Sequence, residues 1–181
     1  MLASAQQAAL SAAIPYAQDC EHASGLWSSL TLAQWAVESD WGQRCPGNNP
    51  FGITWTPNHQ EQLLWTHEEV PPAQLDGWKI QHPELIVEKT LPSGHLWVKL
   101  RRPFNAYATL GDAFEDHGRL LTQGHPYAAV WSAHCQDAAP FQFITAFAPI
   151  YATDHNYAAT LTEVINAHNL TQYDHRWTDN A

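Results

Sequence analysis

The chain has 181 residues, 45% of them apolar, and a formal charge of −10 at pH 7. That length suits one compact domain with a core of its own, and the acidic balance excludes nucleic acid, whose phosphates call for Lys and Arg. No apolar run approaches the roughly 20 residues of a membrane span, and nine tryptophans stand against eight Lys plus Arg, an excess that suits a core or a grip on flat ligand faces.

In chain order, the N-terminal "MLASAQQAALSAAIPYAQDC" lacks a basic n-region and reads as a helix rather than a signal peptide. Residues 3–13 favour that helix, Pro15 breaks or restarts it, and Gly25 closes it. Ser28, Ser29 and Thr31 offer caps for a second helix that runs to about Trp41 and stops at Gly42. Leu30, Ala33, Val37 and Trp41 form its apolar stripe. From about 52 to 102 the pattern changes to short β-type runs, "ITWT", "QLLWTH", "LIVEK" and "HLWVKL". The last two pair as a hairpin through Leu91–Gly94, and Asp76–Pro83 reads as irregular. Helices return at Thr109, where Asp112 completes a capping box and Leu110, Phe114, His117 and Leu121 line one face. Further helices are expected over 127–134 and 140–148, and from about Asp154 to His168 with Tyr157, Leu161, Val164 and Ile165 buried. The order gives an α+β domain over 1–181, a mainly helical body with a small antiparallel β lobe flanking a cleft.

The chemistry-bearing residues are few. Eleven histidines are scattered with no HExxH, so neither a metal nor another cofactor is expected. Cys20, Cys45 and Cys135 allow at most one internal disulfide. Glu38 is different: on a helix, Trp35 and Trp41 lie three residues to either side and Gln34 lies four before it. A carboxyl against indole stays protonated near neutrality and can protonate a departing glycosidic oxygen. Spacing alone leaves this reading level with an ordinary solvated Glu. The loop that follows, "PGNNPFGI", is stiff and backbone-exposed, suited to holding amides and Asn side chains against a polar ligand.

These residues carry a resemblance. "LTLAQWAVESDWGQ" followed by "GNNPFGI" is similar to the signature of the bacterial glucosaminidase family, the flagellar-type peptidoglycan hydrolases and related autolysins. "FNAYATLGDAFEDHGRLL" and "YATDHNYAATLTEVI" resemble two later blocks of that family in the same order. The resemblance covers about 15–168 and implies a lysozyme-like fold that cuts the peptidoglycan glycan strand after N-acetylglucosamine. It implies Glu38 as general acid and Tyr151 as the tyrosine beside it, with Asn49 and Phe51 shaping the floor. Trp35, Trp41 and Tyr157 complete the expected glycan-contacting set, although Tyr157 has the spacing of a core residue. The nearest match for a second carboxylate is Glu88, with Glu68, Glu69 and Glu84 also on the lobe.

Muramidase or lytic transglycosylase action on the same fold, or a silent glycan-binding module, are the alternative readings. A monomer is expected, acting in periplasm or cell wall after export or delivery, with an immunity or delivery partner compatible with that route. The charge of −10 favours thin Gram-negative walls over anionic, teichoic-acid-rich ones.

Overall fold

Residues 3–175 are described by a computed structural model, and among them are seven α-helices and one three-stranded sheet. Two compact units result, one from the chain up to Phe51 together with Tyr107 onward, the other from Gly52–Ala106.

The first unit is helical. Helix α1 spans Ser4–Ser24 without interruption, Pro15 included. Pro15 removes the bond to the carbonyl four residues before it, but Ser11 and Pro15 are both exposed, so water can serve that carbonyl. Gly25, at φ +79°, closes the helix as expected. Helix α2 (Ser28–Ser39) packs against α1, α4 (Leu110–Gln123) and α7 (Tyr157–Ala167). Helices α5 (Tyr127–His134) and α6 (Phe141–Tyr151) complete the body. Trp27, Phe143 and Phe147 are fully buried, with Trp27 edge-on to Trp131 and Phe143 stacked on Phe147 at 4.9 Å. The Thr109 capping box forms as the sequence predicts, Asp112 N–H donating to the Thr109 hydroxyl and Thr109 N–H to the Asp112 carboxylate. Helix α7 begins three residues later than expected, because Asp154 takes the Asn156 N–H with its side chain and the Tyr157 N–H with its carbonyl in a turn.

The second unit holds β1 (Gln60–Val70), α3 (Leu75–Gln81), β2 (Ile86–Thr90) and β3 (Leu96–Ala106), in antiparallel order β1-β3-β2. β1 and β3 pair from Gln60↔Ala106 to Val70↔Leu96, and β2 joins β3 through the expected Leu91–Gly94 turn. Two expectations are corrected here. "ITWT" gives only a single bridge, Thr54↔Phe104, because Pro57 and the Thr56–His59 turn end the ladder. Asp76–Pro83 is not irregular: most of it belongs to α3, whose Trp78 packs with Leu85 and Leu96 on Val70, Val98 and Leu100. That long-range burial outweighs the helix cost of Gly77.

Candidate active site

Helix α2 is held at both ends by side chains. Ser28, Ser29 and Thr31 do not cap it; its N-terminal donors are met by remote carboxylates. Ser28 N–H and Oγ donate to Glu21 Oε2, and Ser29 N–H and Oγ donate to the two Asp174 oxygens at 2.7 and 2.8 Å. Two anions therefore sit at the positive end of the helix dipole. Leu30 and Ala33 are fully buried as expected, whereas Val37 and Trp41 are only half-buried.

The C-terminal end departs from the sequence expectation. The helix stops at Ser39, and Asp40, Trp41 and Gly42 all take left-handed backbone (φ +51°, +58° and +81°). Buried Ser39 holds this turn by donating to the Trp35 carbonyl and accepting the Gly42 N–H at 2.8 Å. At Gly42 a Cβ would lie 2.9 Å from the Trp35 ring, in a conformation L-residues rarely adopt. Gly42→Ala is expected to cost about 1–3 kcal/mol, read as a lowered denaturation midpoint; an unchanged midpoint would contradict this packing.

Glu38 lies on the last turn of α2 and is exposed, yet the surrounding protein removes part of its hydration and raises its pKa. Opposing that rise, the Tyr157 hydroxyl donates to Glu38 Oε1 at 2.6 Å. Glu38 Oε2 has no hydrogen-bond partner among the described residues. Tyr151 stacks on Tyr157, rings 5.5 Å apart and 7° from parallel, and its own hydroxyl donates to the Phe51 carbonyl at 3.4 Å. Burial first, and then the neighbouring Glu38 charge, raise the Tyr151 pKa, so this phenol remains a donor. Burial and the charges of Tyr151 and Glu38 do the same for Tyr157.

The structure brings Glu38, Tyr151 and Tyr157 into one cluster. Trp35 is 2% exposed and edge-on to Trp41, which is in turn edge-on to His168. Trp35 thus presents no free indole face to a sugar, and the hydrogen-bond partner of Glu38 is a phenol. Asn49 and Phe51 are buried at 4% and 3%, with Phe51 stacked on His117 at 3.9 Å. The loop before them is tied down by its own polar groups: Asn48 donates to the Tyr107 and Ala108 carbonyls, and Tyr107 N–H donates to the Gly47 carbonyl. These contacts make it a rigid connection; the Asn48 amide is engaged within the fold.

Glu88 lies in the second unit. The β2–β3 register shifts between Val87 and Lys89, so Glu88 occupies a bulge, where it meets His67 at 3.1 Å. Bulges re-aim the side chain they carry. The other three candidate carboxylates also have partners: Glu68 pairs with Arg102 at 2.6 Å, Glu69 takes hydrogen bonds from Ser93 and His95, and Glu84 accepts the Arg101 N–H. Cys20, Cys45 and Cys135 form no disulfide.

Two residues joined to the cluster escape a reading of the sequence. Buried Gln34 donates from Nε2 to the Tyr157 hydroxyl at 3.1 Å, and buried His117 meets Gln34 Oε1 through Nε2 at 3.1 Å. Burial pushes the His117 pKa down to about 3, against the pull of Asp116, so the ring is neutral. The α2 spacing of Gln34 to Glu38 was the available signal for the first; the second is a contact across 83 positions.

Comparison with known proteins places the chain in a family. Residues 14–170 match the glucosaminidase family, described as mannosyl-glycoprotein endo-beta-N-acetylglucosaminidase. A probable N-acetylmuramidase of Lactococcus lactis subsp. lactis is 32% identical over 160 residues, 83% of this chain and 30% of the relative. The peptidoglycan hydrolase FlgJ of Salmonella typhimurium is 30% identical over 149 residues, 78% of this chain and 40% of the relative. The chain thus spans less than half the length of these relatives. The catalytic domain of the autolysin Auto from Listeria monocytogenes superposes with a TM-score of 0.73 at 24% identity, covering 96% of this chain and 90% of that domain. The α+β fold is therefore of the lysozyme-like type, and the chain belongs to the glucosaminidase family.

Proposed function

We propose that this protein hydrolyses peptidoglycan as an endo-β-N-acetylglucosaminidase, with Glu38 as the general acid. The observation that carries the proposal is the state of Glu38: exposed to a ligand, raised in pKa, anchored through Oε1 and unencumbered at Oε2. Such a carboxylic acid holds its proton toward neutrality and delivers it to a glycosidic oxygen as the bond breaks. Tyr151 and Tyr157 form the aromatic support of the acid, and half-buried Trp41 is the indole of this segment with surface left to offer a sugar. Glu88 is assigned as the second carboxylate because it occupies the β2 bulge, whereas Glu68 and Glu69 lie in the regular β1 ladder and Glu84 in a turn. In a retaining or inverting route it would serve as nucleophile or base; participation by the substrate's N-acetyl group would dispense with it.

The names of the relatives favour a second reading, a muramidase cutting the alternate bond. Mass spectrometry of reduced digestion products separates the two. A reducing-end N-acetylglucosamine supports this proposal; N-acetylmuramic acid or its anhydro form supports the muramidase or the transglycosylase. Action in periplasm or cell wall follows from the substrate. The charge of −10 gives a salt prediction. Lysis of teichoic-acid-rich walls should rise severalfold from about 10 to 150 mM salt, as screening shortens the Debye length from roughly 30 to 8 Å. Turbidity assays showing full activity at low salt would contradict electrostatic exclusion.

A further inference from the structure

The hydrogen bonds behind Glu38 have a direction, and elementary valence fixes it. The Tyr157 hydroxyl has one proton and gives it to Glu38 Oε1. Its oxygen therefore accepts from Gln34, which must turn its amide nitrogen to Tyr157 and its carbonyl to His117. A neutral His117 can satisfy that carbonyl only as the Nε2–H tautomer. Every donor in the chain His117–Gln34–Tyr157 thus points toward Glu38.

When Glu38 is protonated, two arrangements compete. In one, the proton sits on Oε2 and the chain keeps its direction. In the other, the proton sits on Oε1 and is donated to Tyr157, so Gln34 must flip and His117 must move its proton to Nδ1. His117 is 0% exposed, stacked on Phe51, and its Nδ1 has no partner among the described residues. The reversed chain would bury an N–H with no acceptor, a rarer and costlier defect than an unpaired lone pair. Asp116 on α4 and the phenol of Tyr151 are the titratable groups that bear on the two ends of the chain.

We infer that His117 and Gln34 are positioning residues that lock the acid proton of Glu38 onto Oε2, the oxygen left open for substrate, by fixing the direction of the chain that ends on Oε1. The inference rests on the hydrolase reading for its purpose and on hydrogen-bond geometry for its content.

The test is nuclear magnetic resonance of the intact chain. Nitrogen-15 shifts report the His117 tautomer in wild type, and carbon-13 titration reports the Glu38 carboxyl in wild type, His117→Phe and His117→Gln. The expected results are an Nε2–H tautomer and a Glu38 pKa raised by about 0.5 in His117→Phe, since a weakened chain stabilises the carboxylate less. His117→Gln, which can return an N–H near Nε2, should restore it. Glycan turnover should follow, with kcat down about tenfold in His117→Phe at unchanged KM. An Nδ1–H tautomer in wild type, which requires no variant to fold, overturns the inference; so does a Glu38 titration indifferent to both substitutions. Neither reading depends on turnover, so wild-type protein inert on peptidoglycan would defeat the hydrolase reading while the tautomer still decides this one.

Discussion

Glu38→Gln is expected to lose about 10²- to 10⁴-fold in the rate of glycan cleavage, the range removed with a general acid, while binding to the wall persists. Gln matches Glu in shape and can still accept from Tyr157 at the position of Oε1, so the loss is one of proton delivery. Stability supplies the control. The folded-state pKa of Glu38 is raised, so the folded protein binds more protons than the unfolded chain between the two pKa values. The stability this contributes is present at low pH and is lost as pH rises through the folded pKa. At neutral pH the Gln variant is therefore expected to melt no lower than wild type. Zymography beside a thermal melt checks both statements; undiminished lysis would remove Glu38 from the mechanism.

Tyr157→Phe should carry the second-largest effect, about 10- to 10²-fold in kcat, because Glu38 loses its anchor while the ring and its stack on Tyr151 remain. The pH profile gives a sharper reading than the rate. Tyr157 donates to the carboxylate and lowers the Glu38 pKa, so its loss leaves the raising effect of burial unopposed. An acid must be protonated to act, and activity is lost as pH rises through its pKa. The alkaline limb of kcat is thus expected to move upward by about one pH unit, the equivalent of a hydrogen bond to a charged group. A limb that stays in place, or moves downward, would show that Tyr157 does not act through Glu38.

Local signals in the sequence were sufficient where the partners are neighbours in the chain. Thr109 and Asp112 are three positions apart, and their capping box forms as expected. Leu30 and Ala33 mark the inner face of α2, and the Leu91–Gly94 turn fixes its hairpin. Contacts across long separations were not legible. The Ser29–Asp174 cap spans 145 positions and Tyr157–Glu38 spans 119, and no periodicity encodes either. Helix α3 is not legible because its stability comes from Trp78 against the sheet, a tertiary contribution that propensity over "LDGWKIQ" lacks. The position of Glu38 followed from spacing, and its chemistry from the resemblance. Its Tyr157 partner is not legible in the sequence, nor is the left-handed backbone at Asp40 and Trp41 that ends the helix before Trp41.

Whether Glu38 protonates the leaving oxygen is decided by a leaving group that needs no proton. Wild type and Glu38→Gln would be compared on an N-acetylglucosamine oligomer ending in an ordinary sugar and on the same oligomer carrying a dinitrophenyl group. With Glu38 as the acid, the gap of about 10²- to 10⁴-fold on the sugar shrinks to less than about tenfold on the activated aryl glycoside. An equal gap on both substrates would contradict it.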